Sequence, residues 1–434
     1  MRILHFADLH IGVENFARPA TEEDLEALPA YFLTPPGHDR TYYRGASTRL
    51  LDFLSALDTL VHTAVEEGAD LVVFAGDAYR SRNPDQTHQR EFARRIAHLV
   101  SHNIPVVLVA GNHDLPRTAF RASALEIFPT LNIQNVFVSE RAEVLKVCTR
   151  SGPVQILTVP WIRPHLLLER QESQGKSLEA LRQLAEERLT ARVHALAQRL
   201  DTSVPAILVG HFTAYGAQTG TEQSMLLGND HVLPLSSILL PGLDYLALGH
   251  VHRHQCLGDS PPVVYAGSLQ RVDFSEEKDR KGFVVIEVDP SRPAGQRARW
   301  TFREVPARPF QTVEVRVGPE DDPTTQTLNA LRRYHLQGAI VRLILHMPQA
   351  LAGRWDERAV RQALEPASCV VVQRDYIDRG AVLSARAIDQ RTPPQDALRR
   401  FLEQESIPEA VRQRALALGQ EALARAQAQA EGEA

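Results

Sequence analysis

Five short clusters of aspartate, asparagine and histidine are spread over the first 252 residues: Asp8-Leu9-His10, Gly76-Asp77, Gly111-Asn112-His113-Asp114, Gly210-His211 and Gly249-His250-Val251-His252. Their donors are carboxylate oxygens, an amide oxygen and imidazoles, with no thiolate among them. Such a set suits Mn²⁺, Fe or Zn²⁺ and disfavours a structural zinc cage. Two divalent ions held close together can clamp the attacking and leaving oxygens of a phosphoryl transfer and supply its nucleophile. A lone histidine after a strand is ordinarily a hydrogen-bonded structural residue, and a lone Asp-x-His means little; the weight lies in all five clusters occurring together. Cys148, Cys256 and Cys369 are odd in number and far apart, so neither a disulfide framework nor a thiolate metal site is encoded, and a reducing compartment is expected.

Each cluster follows or lies within a short β-branched apolar run. These runs are Arg2 to Ala7, Leu71 to Ala75, Val106 to Ala110, Ala206 to Val209 and Tyr245 to Leu248, with further ones at Val154 to Val159, Val263 to Tyr265 and Phe283 to Val288. Continuous apolar runs of this length predict strands buried on both faces. The clusters then sit at strand carboxyl ends, where ligand-binding loops of α/β sheets converge. A glycine before the polar residue allows a tight turn and close approach. Helical periodicity over Thr48 to Glu67 and Ser177 to Leu200 completes an α/β architecture with helices covering the sheets. Residues 14 to 45, with Pro19, Pro29, Pro35, Pro36 and Gly37, break the rhythm and are expected to form a long surface loop or insertion.

Length suggests about three domains. Prolines 290, 293, 306 and 309 in an Arg-rich stretch predict a linker near 290 to 310. Beyond it, strand (Thr312 to Val317), helix (Thr324 to Tyr334), strand (Ala339 to His346), helix (Asp356 to Leu364) and strand (Cys369 to Tyr376) make a small α/β unit. After Pro393 and Pro394 two short amphipathic helices are expected, marked by Leu398, Phe401, Leu402, Val411, Leu416, Leu418 and Leu423. The domains expected are therefore 1–290, 305–385 and 393–434.

An apolar fraction of 44% with 23% charged residues is ordinary globular chemistry. The 48 basic and 53 acidic side chains leave a net charge of −5, which excludes a protein that coats nucleic acid through bulk charge. Charge is uneven, about −8 over residues 1–290 and about +4 over 291–390. Only Lys146, Lys176, Lys278 and Lys281 are lysines; the remaining cations are arginines, which base composition of the genome or forked phosphate recognition would each explain. The opening residues are too short and polar a run for a signal sequence, and no stretch reaches the length of a membrane span, so a cytoplasmic protein is expected.

At the five clusters the sequence resembles the calcineurin-like metallophosphoesterases over residues 1 to about 290. Tyr265-Ala266-Gly267-Ser268, continuing to Arg271, Phe274, Glu276 and Lys281-Gly282, is similar to the DNA-nuclease branch of that superfamily. The resemblance implies a two-sheet metallophosphoesterase sandwich flanked by helices, plus a small α/β capping, DNA-binding domain and a C-terminal helical tail. It implies that Asp8, His10, Asp77 and His252 hold one ion and Asp77, Asn112, His211 and His250 the other, with Asp77 as the bridge and Mn²⁺ the favoured metal. His113 would act on the substrate by protonating a leaving 3′-oxygen. Asp114 would orient its ring and raise its pKa, the bland alternative being a helix N-cap. After Asp77 the chain departs from its relatives with Ala78-Tyr79-Arg80-Ser81-Arg82; Arg80, Arg82, Arg117 and Arg271 are candidate phosphate contacts or simply solvated arginines. His5, His38, His88, His254 and His335 are read as ordinary histidines. The implied activity is a 3′ to 5′ double-strand exonuclease and single-strand or hairpin endonuclease, active on DNA as a homodimer with an SbcC-like coiled-coil ATPase gripped by the tail. Two rivals remain: a phosphomonoesterase or cyclic-nucleotide phosphodiesterase of the same superfamily, which leaves residues 305 to 434 without a purpose, and a non-catalytic scaffold, which would not need the filled ligand set.

Overall fold

The computed structural model describes residues 1–116, 118, 121–161, 176–220, 232–376, 399, 402, 409 and 411–420. The strands run β1 (Arg2–Phe6), β2 (Leu71–Ala75), β3 (Val106–Val109), β4 (Val136–Ser139), β5 (Glu143–Thr149), β6 (Gly152–Val159) and β7 (Ala206–His211). They continue with β8 (Thr213–Ala214), β9 (Val232–Leu233), β10 (Tyr245–Gly249), β11 (Gln255–Asp259), β12 (Pro262–Tyr265), β13 (Gly282–Val288) and β14 (Ala298–Glu304). One six-stranded sheet has the order β14-β13-β1-β2-β3-β4 and the other β11-β12-β10-β7-β6-β5. In the first, β1 to β4 are parallel with β4 at the edge, and β13 and β14 add antiparallel on the other side; in the second, the four central strands are parallel and the outer two antiparallel. All parallel strands therefore deliver their carboxyl ends to the same edge of their sheet.

Side-chain alternation explains the layering. Along the first sheet Ile3, Ala7, Val73 and Val107 share one buried cluster with Ile156, Ile207, Val209 and Ala247 of the second, so these residues form the core between the sheets. Leu4, Phe6, Phe74 and Leu108 pack instead with Leu54, Leu57, Phe92 and Ile96 of helices α1 (Thr48–Glu66) and α2 (Gln86–Ser101). Leu157, Leu208 and Leu246 pack with Leu189 and Val193 of α3 (Leu178–Ala197). Burying each such side chain contributes roughly 1.5–3 kcal/mol, which is why both-face apolar strands read so clearly in the sequence.

Two expectations are corrected. The segment 290–310 is not simply a linker, because its residues 298–304 form β14, paired antiparallel with β13 from Gly282↔Glu304 to Val288↔Ala298. Trp300 and Phe302 pack on the core while Arg299, Thr301 and Arg303 alternate outward, an edge-strand pattern hidden among flanking prolines. The segment 14–45 is not merely surface loop. Ala20, Leu25, Leu28, Phe32 and Tyr43 enter the core cluster. It is pinned by a buried network in which Arg95 forks onto Asp58 at 2.8 and 2.8 Å, the Leu33 N–H donates to Asp58, and the Tyr43 hydroxyl donates to Glu91.

The chain divides into two compact units, the first comprising 1–311, 337–341 and 367–369 and the second the remainder. The second is built on a three-stranded sheet, β15 (Phe310–Arg316), β16 (Ile340–Met347) and β17 (Cys369–Tyr376), in the order β15-β16-β17, with helices Pro323–Leu331 and Glu357–Ala363. Asp322 and Asp356 cap these helices, and Pro323 begins the first. Of the expected tail, Leu398, Phe401 and Leu423 lie outside the described residues, while 411–420 are helical with Val411 and Leu418 exposed.

Candidate metal centre

The five clusters converge on one edge of the two sheets. Asp8 lies two residues beyond β1, Asp77 two beyond β2, Asn112 and His113 just past β3, His211 closes β7, and His250 and His252 follow β10. The turns interlock through backbone: the Asp8 N–H donates to Gly76 O at 2.9 Å and the Leu9 and His10 N–H groups to Asp77 O. Asp8, His10, Asp77 and His250 all adopt positive φ, at 50°, 48°, 62° and 91°. Left-handed backbone at non-glycine residues costs of order 1–3 kcal/mol each, and half of the eight such residues described belong to this constellation. Gly76 and Gly111 are required by close approach: a Cβ on the first would meet the His211 ring, and on the second the Asp77 carboxylate.

The side chains form overlapping groups. Donor atoms of Asp8, His10 and His252 lie within 4.8 Å of one another, as do those of Asp8, Asp77 and His211, and of His10, Asp77 and His113. Asn112 Oδ1 stands 3.0 Å from His211 Nε2 and 3.1 Å from His250 Nδ1, completing the second group. All seven expected ligands are thus brought together, with Asp8, His10 and Asp77 each common to two groups. Asp8 also accepts the His250 N–H, and Asp77 Oδ1 accepts the His113 N–H at 2.7 Å.

Electrostatics suits cations. Burial pushes the Asp8 carboxyl up. Burial acts the same way on Asp77, yet the surrounding histidines, His211 foremost, outweigh it and hold that carboxyl well below its usual range. His211, buried but facing Asp77 and Asp8, is raised to about 9. Burial and the neighbouring His252 push His10 well down. His10 Nε2 and His252 Nε2 face each other at 2.9 Å, and the buried His10 Nδ1 has no hydrogen-bond partner among the described residues. Two facing imidazole nitrogens beside two buried carboxylates fit a divalent ion, and the donor set is oxygen and imidazole throughout.

His113 is placed at the centre, its ring 5.1 Å from that of His10, but Asp114 does not orient it. His113 Nδ1 is 2.8 Å from the Arg80 carbonyl, while the buried Asp114 carboxylate accepts the N–H groups of Asp77, Ala78 and Gly111 at 2.8–2.9 Å. Asp114 ties two loops together and is neither ring partner nor helix cap. Burial lowers the His113 pKa, against opposition from Asp77 and the Arg80 carbonyl; burial and the nearby Asp77 raise Asp114 to about 7. Arg271 is likewise structural, its guanidinium spent on the carbonyls of Glu276, Ala307, Arg308 and Asp279. Arg82 donates to Leu115 O, and Arg117 lies outside the described residues. Two residues here carry no motif: Trp161, whose ring is 5.2 Å from that of His250, and Arg121. Arg121 joins Arg80, Arg82 and His113 around a cavity of about 410 Å³ lined otherwise by Ser81, Asn83, Pro116 and Thr118, with no carboxylate among the described residues.

A family model described as calcineurin-like phosphoesterase matches residues 1–254, more than half the chain and every one of the seven donor residues. The chain belongs to the calcineurin-like phosphoesterases. Among curated members it is similar to the SbcD component of the nuclease SbcCD from Rhodobacter capsulatus, 30% identical over 66% of this chain and 66% of that one. The component of the same name from Escherichia coli is 26% identical over 64% and 62%. "DNA double-strand break repair protein Mre11" of Archaeoglobus fulgidus is 24% identical over 79% of this phosphoesterase and 67% of that chain. The match to the first two relatives spans just under two thirds of their lengths.

Proposed function

We propose that this phosphoesterase is the Mn²⁺-dependent nuclease component of a DNA-processing complex, with 3′ to 5′ double-strand exonuclease and single-strand or hairpin endonuclease activity, working with an SbcC-like coiled-coil ATPase at DNA ends. The observation that carries the reading is the pairing of the seven-donor centre with a cavity lined by Arg80, Arg82 and Arg121 that shares His113 with it. Several arginines beside the reacting group suit the successive phosphates of a polyanionic strand. The names of the curated relatives support the same substrate.

Asp8, His10, Asp77 and His252 would hold one ion and Asp77, Asn112, His211 and His250 the other. When bound, the ions supply charge stabilisation and a water nucleophile at neutral pH. The chain does the rest. Asp77 accepts the His113 N–H on Oδ1 and turns Oδ2 toward both His10 Nε2 and His211 Nε2, at 3.8 and 3.4 Å. The Arg80 carbonyl accepts the His113 Nδ1 proton and orients the ring; in its imidazolium form His113 carries a second proton on Nε2, which it would pass to the leaving 3′-oxygen, returning to the neutral Nδ1–H form. Arg80, Arg82 and Arg121 position neighbouring phosphates without reading sequence. The same reading makes 305–385 a DNA-binding cap and 393–434 the grip on the ATPase, in a cytoplasmic homodimer. No helix among the described residues is long and apolar enough to cross a membrane.

The test is cleavage of end-labelled duplex DNA by the purified full chain with Mn²⁺, with and without the ATPase. Shortening from 3′ ends is expected, and His113→Leu should slow it roughly 10²- to 10⁴-fold while metal content is retained. Hydrolysis of nitrophenyl esters alone, even with the ATPase present, would overturn the nuclease reading, and unchanged cleavage by the variant would remove His113 from it.

A further inference from the structure

His252 and His211, one from each cation position, differ in what stands behind them. His252 Nδ1 lies 2.7 Å from Glu276 Oε1, so its proton goes to a carboxylate and its Nε2 lone pair is turned toward His10 Nε2. His211 Nδ1 instead meets the Ala75 backbone carbonyl at 2.7 Å. Glu276 closes a 3₁₀ turn, Phe274–Glu276, whose start is capped by Asp273. Its second oxygen is 2.8 Å from Lys281 Nζ and accepts the Val272 N–H at 3.0 Å. Lys281 is itself buried and donates to Ser268 Oγ at 2.8 Å and to the His252 carbonyl at 3.1 Å. The carboxylate is therefore charge-matched, used at both oxygens, and unable to turn away from the imidazole.

We infer that Glu276, clamped by Lys281, is a positioning residue that strengthens the cation position of Asp8, His10, Asp77 and His252 selectively over that of Asp77, Asn112, His211 and His250. A carboxylate behind a ligating histidine fixes its tautomer and raises its donor strength, and removing such a partner typically costs 10- to 100-fold in metal affinity. A neutral carbonyl fixes the tautomer with less polarisation. The inference rests on the two-cation reading above and assigns its asymmetry to a residue outside both ligand sets.

The test is a Mn²⁺ titration of the metal-free full chain by calorimetry, with bound Mn²⁺ counted by electron paramagnetic resonance. The wild type should show two binding events, and Glu276→Gln should weaken one of them about 10- to 100-fold and leave the other in place. Because that variant leaves Lys281 without its counter-charge, the double variant Glu276→Gln/Lys281→Met removes both buried charges; it should restore thermal stability and keep the selective metal defect. Two unaltered events in the double variant, or equal weakening of both, would overturn the proposal. A wild type that binds no Mn²⁺ would overturn the two-cation reading itself, a distinct result.

Discussion

The two edges of the same pair of sheets use the same residue types to opposite ends. At the amino edge, before β2 and β10, Asp70 and Asp244 are saturated by the protein. Asp70 accepts from the Arg2 N–H at 2.7 Å, Ser151 Oγ at 2.8 Å and Arg150 Nε at 3.0 Å; Asp244 accepts from the Ala206 and Gly295 N–H groups and lies 3.5 Å from Arg297. At the carboxyl edge, among the described residues, no arginine or lysine pairs with Asp8 or Asp77, and imidazoles crowd them instead. The arginines invert the same way. A cavity of about 490 Å³ at the amino edge is lined by Arg2, Arg150, Arg292, Arg297 and Arg299, but equally by Glu67, Asp70, Glu287 and Asp289. Among the described residues, the cavity beside His113 is lined by arginines and by no acid. Charge paired with guanidinium groups inside the protein holds a fold together; carboxylates flanked by imidazole donors instead suit an added cation.

The sharpest way to break that contrast is to make the same change at both edges. Asp77→Asn should reduce DNA cleavage by about four orders of magnitude, the scale on which removing one member of a concerted set acts, and should weaken both Mn²⁺ binding events. Asp70→Asn should instead lower stability by roughly 1–3 kcal/mol, read as a shift in the urea midpoint, with cleavage per folded molecule unchanged. If the two variants exchanged phenotypes, the division of labour between the edges would be wrong.

Histidine offers a second comparison. His211 is buried against carboxylates, which raise its pKa to about 9 despite that burial. His5, buried between the sheets with Nδ1 3.3 Å from the Tyr245 hydroxyl, has no such anion, and burial drives its pKa to about 3. Between that value and 6.5 the unfolded chain binds a proton that the folded chain refuses, so stability is full above pH 6.5 and is lost as pH falls toward 3. The displacement corresponds to about 4–5 kcal/mol at most. Urea unfolding of metal-free wild type and His5→Gln across this range should show a difference that shrinks or reverses as pH falls; parallel curves would mean His5 is protonated inside the fold.

How much of this was legible in the sequence follows from the range of the interactions. Seven of the eight parallel strands, the seven donors and their gathering at one edge could be read locally, because an apolar run followed by glycine and a polar residue is contiguous; β4, short and followed by no such cluster, is not among the expected strands. Asp114 could not: its three partners include N–H groups at Asp77 and Ala78, more than thirty residues away, and only the folded loops show that it staples them. Arg271 is similar, committed to carbonyls as distant as Arg308. The half-exposed edge strands β5, β11 and β14 alternate too briefly between polar and apolar residues to stand out, and prolines around β14 and in 14–45 signal loops even where Trp300, Phe302, Leu25 and Phe32 pack inward.

The smallest expected effect tests the arginines themselves. Each phosphate contact on duplex DNA changes the slope of log affinity against log salt by about 0.9. Arg80→Ala combined with Arg121→Ala removes two guanidinium groups from the cavity beside His113, so the slope should flatten by about two contacts, uniformly across sequences. Arg150→Ala removes a guanidinium already paired with Asp70, and its slope should match the wild type. Filter binding of duplex DNA to the three proteins, each in the His113→Leu background to prevent cleavage, decides between them. Equal slopes for all three would mean that the arginine cavity makes no phosphate contact, and that the difference between the edges concerns cations alone.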